Sequence, residues 1–138
     1  MIRRVAILIV MGLTLAVVPA LQGQVLPTRP QGDGIFRQYA PGLLARVNYQ
    51  AESTGRYRIA LWDLLVGPGK SSEPVKLPGG AVVEVRSGSG RAVIDGQAQE
   101  ISGGAIFVVN QGSSLALTNG RDDLAFALRV TLISAESP

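Results

Sequence analysis

The chain of 138 residues contains no histidine and no cysteine. Zinc, copper and non-haem iron centres are built chiefly from imidazole and thiolate ligands. Metal sites of nitrogen or sulfur donors are therefore excluded by composition. So are thiol catalysis, disulfides and a lipid anchor on an N-terminal cysteine. No imidazole is available for proton transfer near neutral pH either. Aromatic residues are scarce at 5%, with a single tryptophan, Trp62. The ten acids are scattered, and only Asp122 and Asp123 are adjacent. These two follow Asn119-Gly120, a turn signal, and read as a solvated hairpin turn. A dense basic stripe is also missing. The formal charge of +3 includes Arg3 and Arg4 of the N-terminal segment, which leaves the remainder near +1. Nucleic-acid binding needs a concentrated basic face, so no nucleic-acid partner is expected.

What the chain does have begins with an apolar N-terminus. Met1-Ile-Arg-Arg is a short basic start, and Val5 to Val18 is an apolar run broken only by Gly12 and Thr14. Val18-Pro-Ala20 offers small residues for a signal peptidase, the pattern of a secretory signal peptide over residues 1–23. The alternative is an uncleaved anchor helix over residues 5–21, at the lower edge of the roughly 17–25 residues that cross a bilayer. Arg3 and Arg4 would keep its start in the cytoplasm. Both readings place the rest of the chain on the periplasmic or extracytoplasmic side, and they differ in whether it stays tethered to the inner membrane.

Residues 24–42 carry three prolines and three glycines and read as a linker. Ile35, Phe36 and Tyr39 interrupt its polar character and are candidate partner contacts, or else dock on the chain's own domain. From residue 43 to 134 short β-type runs alternate with turn residues, and 135–138 form a tail. Strands are expected over 43–50, 56–66, 81–86, 91–95, 97–101, 105–109, 115–118 and 124–133, the run 105–109 being buried. Asp95-Gly96 is a strong hairpin signal, since both central turn positions favour positive φ. Ser53-Thr-Gly55 and Ser87-Gly-Ser-Gly90 read as further turns. Outside the N-terminal segment no helix is predicted. Short strands at this spacing argue an antiparallel sandwich or barrel.

Two stretches narrow that choice. From Gly69 the sequence reads GKSSEPVKLPGGAVVEVRSG, ending at Gly88, and from Gly104 it reads GAIFVVNQGSSLALTN, ending at Asn119. This resembles the cupin superfamily. Its first motif is Gly, five residues, His-x-His, three or four residues, Glu, six residues, Gly. Its second is Gly, five residues, Pro-x-Gly, two residues, His, three residues, Asn. Gly69, Gly88, Gly104, Gly112 and Asn119 match by spacing, and Pro78-Gly79 sits where many secreted cupins carry Pro-Gly. The resemblance covers roughly residues 43–133 and implies one jelly-roll β-barrel. Every metal-ligand position departs from the pattern. Val75 and Leu77 replace the two histidines, Ala81 the glutamate, Leu115 the last histidine, and Asn110 the motif's proline. No metal and no cofactor are expected.

Period-two alternation then turns Ala81, Val83 and Val85 inward, with Glu84 and Arg86 outward. Val75, Leu77, Ala81, Val83, Leu115 and Leu117 would line the lumen with aliphatic carbon. They would form either a filled core or a pocket for a small apolar ligand. The best acid–base candidate is Asp63, which shares strand parity with Ile59, Leu61 and Leu65, with Tyr49, Tyr57 and Lys76 as conceivable partners. Trp62 has the opposite parity and reads as sheet packing. The leading expectation is a metal-free, non-catalytic interaction module, an accessory subunit of a membrane complex or a homodimer. The alternative is a periplasmic binder of a small apolar molecule, and a metal-free isomerase-type enzyme comes last.

Overall fold

A computed structural model describes residues 32–51 and 56–135, and all regular structure in them is β. The expected N-terminal helix and the Ser53–Gly55 turn fall outside the described residues. Among the described residues no helix is long and apolar enough to cross a membrane. Ten strands follow in order: β1 Arg37–Ala40, β2 Leu43–Ala51, β3 Tyr57–Val66, β4 Val75–Lys76 and β5 Gly80–Ser87. Then come β6 Ser89–Ile94, β7 Gln97–Ser102, β8 Ile106–Val109, β9 Ser114–Asn119 and β10 Phe126–Ala135.

The strands form two antiparallel sheets. The large sheet has the order β1-β2-β3-β10-β5-β8, and the small one β4-β9-β6-β7. Alternation along each strand dictates what lies between them. In β10 Phe126, Leu128, Val130 and Leu132 are buried, while the intervening residues face outward. In β5 Ala81, Val83 and Val85 are buried, and in β9 Leu115 and Leu117. These side chains and Leu64, Val66 and Val109 form one core shared by both sheets.

The two sheets are joined by a nearly continuous run from β5 into β6. Ser87-Gly-Ser-Gly90 was expected to be a turn, but here it is a crossing from one sheet to the other. Gly88 has φ of +86°, and an added Cβ would lie 2.9 Å from the Ala125 carbonyl oxygen. Gly90 would place a Cβ 2.1 Å from the Thr118 oxygen. The crossing therefore requires a residue without a side chain at both points. By contrast, Asp95-Gly96 makes the expected tight hairpin between β6 and β7, with φ of 48° and 82°.

Three further expectations are corrected. Sheet pairing begins before residue 43, because Arg37–Ala40 pairs with β2 and forms one edge of the large sheet. The run expected to be a buried strand, 105–109, is the opposite edge: Ile106 and Val108 are 68% and 61% exposed. Among the described residues it pairs with β5 alone. Leu124, expected to open the last strand, precedes that strand and is exposed.

Candidate functional site

The six lumen candidates meet where alternation places them, and the geometry decides between core and pocket. Val83, Leu115 and Leu117 have no accessible surface, and Leu77 and Ala81 almost none. A side chain that no water-sized sphere can touch borders no open cavity. Val75, on β4 opposite Leu115, is half-buried and packs against the same core. These positions are filled core. A metal ion here would find only aliphatic carbon and lose its hydration without replacement. The residues present therefore do not fit the ion that the family's motif would hold. Among the described residues no group of three or more carboxylates stands close enough to hold one elsewhere.

Asp63 lies on the outer face of the large sheet. Both faces of β3 are apolar in sequence, but Leu64 and Val66 enter the core and Asp63 points away from it. Its neighbours are set by register: Arg46 opposite on β2 and Arg129 opposite on β10. Arg46 Nη2 donates to Asp63 Oδ2 at 2.6 Å, and Arg129 Nε donates to Oδ1 at 3.1 Å. Burial pushes the carboxyl up. Hydrogen bonds from Arg46, Asn48 and Arg129, with the charge of Arg129, outweigh it and hold the group below the ordinary carboxylate range. A general base at neutral pH needs a raised value, so Asp63 is tuned against that role. Lys76 lies on β4 in the other sheet, where its charge acts on Asp95.

The Pro/Gly-rich arm folds onto its own domain at two of its three candidate contacts. The Phe36 ring lies under the Arg46 guanidinium, 4.5 Å from centroid to carbon. Tyr39 meets Trp62 edge to face with centroids 5.4 Å apart. Ile35 remains exposed. Trp62, of opposite parity to Asp63, packs on the core from the inner face of β3. Beside it the large sheet opens into two cavities that share Val47, Gln50 and Trp62. One, of about 400 Å³, lies under the arm against Tyr39 and Arg37. The other, of about 300 Å³, is bordered by Arg58, Ala60, Pro78, Leu132 and Ser134. Sequence reasoning missed both. Both are lined by Val47 and Gln50, which flank a register shift in β2 between Val47 and Tyr49 that no residue type announces.

Asn119, the last residue of the second motif, holds three chain segments together. Its Nδ2 donates to the carbonyls of Val66, Gly67 and Leu124, and its Oδ1 accepts from Arg121 N. The role is structural, since a buried amide satisfied on both sides has no free group for chemistry.

No family model matches the sequence, and no curated protein does. Solved structures match by shape. A cupin-2 domain from Rhodospirillum rubrum is 17% identical, with 83% of this chain and 77% of that one covered and a TM-score of 0.58. The Cnp3 cupin domain of Schizosaccharomyces pombe is 10% identical, with coverage of 75% and 70% and a TM-score of 0.57. The polyketide cyclase RemF of Streptomyces resistomycificus is 17% identical, with coverage of 83% and 81% and a TM-score of 0.55. At such identities the likeness speaks for the fold alone. The two antiparallel sheets around one core, the positive-φ motif glycines and these neighbours agree: the chain has the cupin fold, a single jelly-roll barrel.

Proposed function

We propose that this protein is a non-catalytic cupin-fold interaction module on the periplasmic side of the membrane, an accessory subunit that joins a larger membrane complex. The observation that carries the reading is the edge of β8, which no described strand pairs on its outer side. Val85 N donates to Ala105 O and Gly104 N donates to Val85 O, both at 2.9 Å. The antiparallel alternation that follows turns the N–H and C=O groups of Phe107 and Val109 toward β5. Those of Ile106 and Val108 therefore face away from the sheet, beside their exposed side chains. Val82 and Ile133 extend the apolar surface across the outer face. Unprotected edges usually carry charge, proline or a bulge, and Ile106–Val109 carries none of these. The small sheet's edge β7 is polar by comparison, with Gln97, Gln99 and Glu100 exposed. An edge of this kind suits strand addition by a partner, with the backbone supplying affinity and the aliphatic side chains a dry contact.

The closed lumen and the clamped Asp63 support the non-catalytic part of the proposal, and the apolar N-terminal segment supports the location. The test is native mass spectrometry of protein gently extracted from the cell envelope, beside a Val108→Lys variant. The expected result is an intact Met1-containing chain in a larger assembly that the variant fails to join. A chain starting near Leu21 or Gln24 and running alone or as a homodimer would overturn the proposal.

A further inference from the structure

The cavity beside Trp62 has a composition that the interaction reading does not use. Its walls are apolar on three strands: Val47 from β2, Ala60 and Trp62 from β3, and Leu132 from β10, with Pro78 closing one side. Three polar residues border it: Gln50, Ser134 and Arg58. None of its lining residues is acidic, and Arg58 has no ion-pair partner among the described residues. The other cavity differs in this respect, since its Arg37 is already paired with Asp33. An apolar chamber whose rim carries a guanidinium with no ion-pair partner among the described residues is complementary to an apolar body bearing one carboxylate.

We infer that this cavity binds a small amphipathic monocarboxylic acid, its hydrocarbon part against Trp62, Ala60 and Leu132 and its carboxylate on Arg58. A volume of about 300 Å³ accommodates a medium-length alkyl or single-ring acid. The guanidinium offers a planar pair of donors to both carboxylate oxygens, and Gln50 and Ser134 can add further hydrogen bonds. The site lies beside Trp62, and its lining includes neither Leu115 nor Leu117 of the filled lumen. It is independent of the β8 edge on the outer face, so either can fail without the other.

Trp62 is the only tryptophan, so its emission reports on occupancy directly. The experiment titrates the full chain, and its Arg58→Gln and Ala60→Leu variants, with octanoate and separately with octan-1-ol. Octanoate is expected to change Trp62 emission saturably in the micromolar-to-millimolar range. Arg58→Gln should weaken octanoate binding about tenfold, the scale of one charge-assisted contact, and leave octan-1-ol within about twofold. Ala60→Leu, which pushes three more carbons into the chamber, should weaken the response to both. Circular dichroism of each variant checks that the sheets are intact. Absence of a saturable response in the unaltered chain, or equal loss of acid and alcohol on Arg58→Gln, would overturn the inference.

Discussion

Replacing Asp63 with asparagine keeps the shape of the side chain and removes its charge, leaving Arg46 and Arg129 facing across β3 without their shared counterion. The Asp63 side chain is 11% exposed, whereas the two arginines are 34% and 38% exposed. The carboxylate is thus the buried member, and the arginines can partly recover hydration when it is lost. Hydrogen bonds to charged groups contribute about 1.5–3 kcal/mol each. Removing one partner of a fully buried pair costs about 3–5 kcal/mol. With two such bonds weakened and two half-exposed cations left, Asp63→Asn should destabilise the domain by about 2–4 kcal/mol at pH 7. For a domain of this size that lowers Tm by roughly 10–20 °C.

The pH dependence gives a second, sharper signature. The folded-state pKa lies below the ordinary value of 3.8. Its stabilisation is therefore complete above the unfolded value and is lost as pH falls through the folded one. Urea melts of the parent and Asp63→Asn should differ fully at pH 7 and converge on acidification below about pH 4. Removing Arg129 as well, by Arg129→Gln, should cost less than the sum of the two single changes. A loss under about 0.5 kcal/mol at pH 7, or a gap unchanged down to pH 2, would show that the arginines do not clamp the carboxylate and that Asp63 is free for other work.

Two further substitutions test the frame. Gly88→Ala puts a side chain at positive φ and 2.9 Å from a carbonyl oxygen at the sheet crossing, and should cost about 2–3 kcal/mol in urea unfolding. Asn119→Ala removes the donor to three carbonyls and should cost about 2–4 kcal/mol. Asn119→Asp, which keeps the acceptor but not the donor, should not rescue it. Full stability of Asn119→Asp would place the weight of that residue on its bond from Arg121 instead.

Much of the barrel is readable from residues that have only one physical use. Gly69, Gly88, Gly104 and Gly112 match the family spacing, and all four adopt positive φ, at 67°, 86°, 89° and 83°. Their spacing thus carries backbone conformation, which persists after the ligand side chains are gone. Alternation in β5 and β10 assigns their inner faces correctly because one face is consistently aliphatic. The same rule fails for β3, where Ile59, Leu61 and Leu65 on one face look as apolar as Trp62, Leu64 and Val66 on the other. The arginines that decide the state of Asp63 come from strands 17 and 66 residues away, a pairing no local pattern contains. β8 reads as buried because an apolar run of four or five residues looks alike at a sheet's centre and at its edge. β1 is hidden by its Pro/Gly-rich surroundings, since four residues leave little room for a periodic signal.

The placement of β10 has a consequence for how the domain comes into being. It is the last of the described strands, yet it lies in the middle of the large sheet, between β3 and β5. A chain delivered N-terminus first, through a ribosome exit or a translocation pore, can form the β2–β3 and β6–β7 hairpins early. The large sheet meanwhile stays in two halves until Phe126–Ala135 emerges and pairs along both neighbours. Apolar faces of both halves wait uncovered during that interval, with strand edges unpaired on either side of the gap. Assembly of this barrel is in effect a single late closure, and a chain stopped short of residue 126 would carry most of the core-forming residues without the strand that joins them.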